Sequence, residues 1–158
     1  MEQGVLLRAK NIEKAFGENV VLTKSGLEVK KGEVMALIGE NGAGKSTLVK
    51  IITGVYKRDG GQVLFDGEEF PMEYGKEFTE KKGISIIYQE LSVIPSLTVA
   101  QNIFLGREPL TKMKTIDYKK MGDMVRELID RYGFDIDPDE YVENMSIARR
   151  QVVEIVKA

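Results

Sequence analysis

Gly39-Glu40-Asn41-Gly42-Ala43-Gly44-Lys45-Ser46-Thr47 is the stretch on which the reading of this chain turns. It matches G-x-x-x-x-G-K-[ST], and its surroundings matter as much as its letters. Ahead of it, residues 33–38 (EVMALI) are a short apolar run without clean alternation, as expected of a strand buried on both faces of a parallel sheet. Behind it, apolar residues at 48, 49, 51 and 52, closed by Gly54, read as a short buried helix. Between strand and helix, the glycines let the backbone curl so that successive N–H groups point inward. The helix N-terminus adds its partial positive charge to the same anion site. Phosphate is the fitting guest: Lys45 can reach β- and γ-phosphates, and the Ser46 hydroxyl is placed to ligate a bridging Mg²⁺.

Outward from this loop, residues 4–10 and 20–29 are rich in β-branched and apolar residues, broken at Phe16-Gly17-Glu18-Asn19 and at Lys30-Lys31-Gly32, and predict two or three strands with turns. Residues 62–65 predict a strand entering a tight turn at Asp66-Gly67. This is the one apolar run that ends in an acid, and the glycine behind it favours a hairpin turn over a metal ligand. Residues 84–88 (ISIIY) predict a second buried strand. From Ser96 the pattern turns helical. Its clearest helix covers 117–132, with Met121, Met124, Val125, Leu128, Ile129 and Tyr132 on one stripe, Asp117 as N-cap and Gly133 as terminator. The acids at 135, 137, 139, 140 and 143 lack the glycine and terminal glutamate of a calcium loop and read as a solvated loop. Ser146 is a candidate N-cap for a last helix whose apolar pattern runs to Lys157-Ala158, so the chain looks cut in mid-pattern.

With 158 residues, 42% of them hydrophobic, there is material for one compact domain with a core. The charged residues, 30% of the chain, have interspersed signs and a formal net charge of −2, which leaves no basic surface for nucleic acid. The absence of cysteine and histidine excludes a disulfide framework, the usual zinc sites and an imidazole base. No apolar stretch approaches the length needed to span a bilayer, and residues 1–4 (MEQG) do not resemble a signal peptide.

Three long stretches, LIGENGAGKSTLVKIITGVY (37–56), IIYQELSVIPSLTVAQNIFLGRE (86–108) and MSIARRQVVEIVKA (145–158), resemble the first cassette of ABC-type monosaccharide-import ATPases of the ribose and galactose kind. The resemblance implies that the phosphate loop, Gly39 to Thr47, binds ATP with Mg²⁺. It implies that Phe16 stacks on adenine; the alternative for that residue is a core phenylalanine. It implies that Gln89 is the Q-loop glutamine, touching Mg²⁺ and the attacking water and reporting to membrane subunits. Ser146 aligns with the signature serine, which contacts the γ-phosphate held by the opposite subunit. Here Met145-Ser146-Ile147-Ala148-Arg149 departs from the usual LSGGQ by lacking both glycines, so a simple helix cap stays open for Ser146.

The expected fold is therefore α/β, a P-loop NTPase of the ABC-cassette type. Residues 1–95 form a nucleotide-binding core with an antiparallel β portion, 96–144 an inserted helical subdomain, and 145–158 the signature motif and the start of its helix. The resemblance places the Walker B aspartate, the catalytic glutamate and the switch histidine after this helix. On that expectation the chain is truncated before the Walker B strand, which leaves the edges at 34–38 and 84–88 poorly covered and open to association with another chain. The expected partners are transmembrane permease subunits, a second cassette and, indirectly, a periplasmic or extracellular sugar-binding protein. The expected location is the cytoplasmic face of the membrane. One rival is a soluble ABC ATPase of repair or translation; the stretch at 86–108 argues for importers. Another is a nucleotide-binding fragment without catalysis.

Overall fold

The computed structural model describes residues 4–158. They form two compact units, the first ending at Ser85 and the second running from Ile86 to Ala158.

The first unit is built on a four-stranded antiparallel sheet in the order β2-β1-β3-β4. Its strands are β1 (Val5–Phe16), β2 (Asn19–Lys30), β3 (Gly60–Phe65) and β4 (Glu68–Glu69). The breaks expected at Gly17-Glu18 and at Lys31-Gly32 are turns. Asp66 and Gly67 both take positive φ, 49° and 84°, the requirement of the two-residue hairpin turn that matches strand twist. The Asp66 carboxylate pairs with Lys31 at 2.7 Å, so this acid closes a turn, as its glycine neighbour predicted. Helix α1 (Lys45–Ile52) buries Leu48, Ile51 and Ile52 against Ala9, Ile12, Leu22 and Val63 of the sheet. A short helix, α2 (Lys76–Lys81), had no sequence signal strong enough to predict it. It brings Phe78 against Phe70 and Tyr74 in an edge-to-face cluster beside the same core.

Two sequence expectations need correction. Residues 33–38 and 84–88 have the composition of buried strands, yet neither forms one. A parallel strand is held by the N–H and C=O groups of its neighbours, and among the described residues neither segment is part of a sheet ladder or an isolated bridge. Val34 and Ile38 are 97% and 92% exposed in consequence.

The second unit is helical: α3 (Val99–Phe104), α4 (Tyr118–Tyr132), a 3₁₀ turn (Val142–Asn144) and α5 (Ile147–Lys157). Its caps are local and strong. Thr98 and Gln101 form a reciprocal capping box, Asp117 accepts the Lys120 N–H, and Gly133 ends α4 at φ 67°. Met121, Val125 and Ile129 of the predicted stripe join Val99, Ile103, Val142 and Val153 in one core, while Met124 and Tyr132 stay exposed at its margin. Asn102, fully buried, ties α3 to the segment before it. Its Oδ1 accepts the Ile94 N–H at 2.7 Å, and its Nδ2 donates to the carbonyls of Ile94 and Thr98, both at 3.0 Å. The acidic run at 135–143 is engaged by arginines, Asp139 with Arg126 and Glu140 with Arg149, and no metal-holding acidic group occurs among the described residues.

Candidate functional site

The loop at 39–47 has the geometry its glycines predict at two positions. Gly42 and Gly44 take φ of 88° and 80°, left-handed values costly to any other residue. Gly44 is also a close approach: a Cβ there would stand 2.5 Å from Leu22 Cδ2 and 3.1 Å from the Val21 carbonyl oxygen, because β2 runs directly beneath it. Gly39 makes no such demand, since an added Cβ would meet Ala43 at an ordinary 3.6 Å. Gly44 sits at the N-cap of α1 without a side-chain cap, so the first N–H groups of the helix have no local acceptor. They share the mouth of the loop with Lys45, whose Nζ donates to the carbonyls of Gly39 at 2.7 Å and Glu40 at 2.8 Å. Ser46, Asn41, Glu40 and Ala43 are exposed, and Thr47 is half-buried. An uncapped helix N-terminus and an ammonium in one short loop can together hold a polyanion.

Phe16 belongs to the same unit and is 45% exposed, which removes the core-phenylalanine alternative. Its ring packs edge-to-face with Tyr56 at 5.3 Å, and Lys14 Nζ lies over it at 5.3 Å from the centroid. Tyr56 in turn carries Lys50, the last basic residue of α1, over its own ring at 5.2 Å. Lys14 is held by Asp59 at 2.8 Å, and the other oxygen of that carboxylate accepts the Ala15 N–H at 2.7 Å. These donors, the Lys14 hydrogen bond first, hold the Asp59 carboxyl below its ordinary value of 3.8. Lys14, Tyr56 and Asp59 carried no signal in sequence, because nothing local says that residues 14 and 59 meet.

Gln89 and Ser146 lie in the second unit. Gln89 is exposed at a bend, and Ser146 caps α5 by accepting the Arg149 N–H at 3.4 Å, so the capping role open for it in sequence is realised. The two segments are joined by Glu154 of α5. Only 6% exposed, it accepts the Ser92 N–H at 2.6 Å and the Ser92 hydroxyl at 2.8 Å. A buried carboxylate must be hydrogen-bonded to be tolerated. The only sequence hint of it was a glutamate in the otherwise apolar run VVEIV.

Comparison with known proteins agrees along the chain. The family profile described as ABC transporter matches residues 22–158. The ribose import ATP-binding protein RbsA of Geobacillus kaustophilus is 47% identical over 154 residues, covering 97% of this chain and 31% of that protein. A putative ribose/galactose/methyl galactoside import ATP-binding protein of Halalkalibacterium halodurans is 47% identical over 159 residues, covering all of this chain and 30% of its own length. The chain thus spans less than a third of the curated relatives it matches. Among solved structures, a nucleotide-free ATP-binding cassette from an ABC transporter superposes with a TM-score of 0.82 at 27% identity over 98% of this chain and 64% of that one. The ADP conformation of MJ1267, an ATP-binding cassette of an ABC transporter, gives 0.81 at 27% identity, covering 97% and 63%.

Proposed function

The chain belongs to the ABC transporter family, and from that premise we propose that it is the phosphate-binding part of an ATPase subunit driving monosaccharide import through a membrane permease. The observation that carries the reading is the loop at 39–47, which brings together two left-handed glycines, an uncapped helix N-terminus and Lys45. ATP fits that donor set: backbone N–H groups and Lys45 take the phosphates, and Phe16 offers an exposed aromatic face to the base. A Mg²⁺ accompanying the nucleotide, with the Ser46 hydroxyl of the loop as its candidate ligand, would neutralise charge on the phosphates. The curated relatives are named for ribose and galactose import, and one solved neighbour is described in its ADP conformation, which supports both sugar uptake and an adenine nucleotide.

In this reading residues 1–95 serve nucleotide binding, 96–144 form the helical subdomain, and 145–158 present Ser146 to the nucleotide of a second cassette. The partners are permease subunits and, through them, an extracytoplasmic sugar-binding protein. Peripheral attachment at the cytoplasmic membrane face follows, and no helix among the described residues is long and apolar enough to cross a membrane.

Calorimetry of Mg·ATP binding to the natural protein and to Lys45→Ala tests the assignment. A charge-assisted hydrogen bond to phosphate contributes roughly 1.5–3 kcal/mol, so the substitution should weaken binding by about ten- to a hundredfold. Equal affinity of the two proteins for Mg·ATP would sink it.

A further inference from the structure

We propose that Asp59 and Lys14 are positioning residues that set Phe16 for the nucleobase, so that this pair governs the base-dependent part of nucleotide affinity and none of the phosphate-dependent part. The inference deepens the nucleotide-binding reading and rests on it.

The geometry is a short chain of charge and aromatic contacts. Asp59 stands just before β3, and its own N–H donates to the Glu13 carbonyl at 2.9 Å, which fixes it beside the end of β1. From there each carboxylate oxygen has a separate task. One accepts the Ala15 N–H and so fixes the backbone of the residue before Phe16; the other holds the Lys14 ammonium. Two register irregularities of β1 flank Lys14, at Ile12/Lys14 and Lys14/Ala15, so the β ladder alone does not fix this stretch. Lys14, anchored in this way, lies over the Phe16 ring, and Tyr56 packs edge-to-face with it. A lysine over a ring would otherwise swing into water at little cost. With Asp59 fixing its head, the ammonium stays against one face of a ring that remains 45% exposed. An aromatic platform held in one orientation loses less entropy when a base stacks on it.

The phosphate loop uses none of these atoms. Its donors are backbone groups of the loop and Lys45. The two contributions are therefore separable with two probes, Mg·ATP and magnesium tripolyphosphate, titrated calorimetrically into the natural protein and into Asp59→Asn, Lys14→Met and Lys14→Arg. Asp59→Asn and Lys14→Met should weaken Mg·ATP by about three- to tenfold and leave tripolyphosphate within a factor of about two. Lys14→Arg keeps a cation that can pair with Asp59 and stack on Phe16, and should restore most of the ATP affinity. Equal losses for both probes would mean that the pair only supports the fold, and unchanged ATP affinity in both variants would mean that it does not position Phe16; either overturns the inference. If the natural protein binds tripolyphosphate but gains nothing from adenosine, the stacking role of Phe16 falls and the inference with it. If it binds neither probe, the nucleotide-binding reading itself has failed.

Discussion

Gly44 shows how a single residue can be demanded twice over. Its φ of 80° excludes most side chains, and the close approach of β2 excludes even a methyl group. Gly44→Ala should therefore destabilise the first unit by about 1–3 kcal/mol, combining a left-handed alanine with overpacking against the buried Leu22. Gly39→Ala is the internal control, since its Cβ would make only ordinary contacts. Urea unfolding of both variants checks this, and a Gly44→Ala midpoint equal to that of the unsubstituted protein would show that the loop relaxes freely. The motif pattern requires glycine at both positions alike, whereas the geometry separates them. That difference was not legible in sequence, because it depends on β2 lying under the loop. Asp66 was legible, because a turn is a property of adjacent residues.

Among the elements, the second unit owes its shape to polar side chains as much as to its apolar stripe. Asn102 replaces three backbone partners for the segment leading into α3, and no neighbouring residue could do both the donating and the accepting. Asn102→Ala should cost about 2–3 kcal/mol by leaving buried backbone groups unpaired. Asn102→Asp should not rescue it, since a carboxylate cannot donate to the Ile94 and Thr98 carbonyls. Hydrogen exchange at the Ile94 amide, whose partner is the Asn102 Oδ1, should be fast in Asn102→Ala and slow in the unsubstituted chain; protection retained in Asn102→Ala would place the restraint elsewhere. The caps at Asp117, Gly133 and Ser146 and the stripe of α4 were readable because each is a pattern within a few residues. The strands at 33–38 and 84–88 were misread for the complementary reason. Val, Ile and Leu report suitability for a pleated surface, but a strand exists only where a partner pairs with it. Short α2 and the Ser92–Glu154 link escaped for similar reasons. The first is too brief for periodicity to speak, and the second joins segments far apart in the chain.

At the scale of the whole chain, the question is what 158 residues of this family can do alone. Holding phosphate needs the loop, Lys45 and the start of α1, all present in one compact unit. Cleaving it also needs a carboxylate that can position or deprotonate water, and the acids with a visible role are committed to other work. Asp66 closes a hairpin and pairs with Lys31, Asp59 holds Lys14, Glu140 pairs with Arg149, and Glu154 is bonded to Ser92. Glu40, inside the phosphate loop, is exposed, and its backbone carbonyl accepts from Lys45. Gln89 carries a neutral amide, which cannot take a proton from water at neutral pH. The 158-residue chain should therefore release phosphate from Mg·ATP no faster than its Lys45→Ala variant, whether or not it binds the nucleotide. Positioning and charge stabilisation account for most of the rate in phosphoryl transfer, and an acid committed elsewhere supplies neither. Steady-state phosphate release from the two proteins, purified side by side, decides the matter. Turnover of the unsubstituted chain well above the variant would show that one of these acids leaves its partner to serve the reaction. Glu154 would then be the first to substitute, since among them it alone is buried with a hydroxyl rather than a cation beside it.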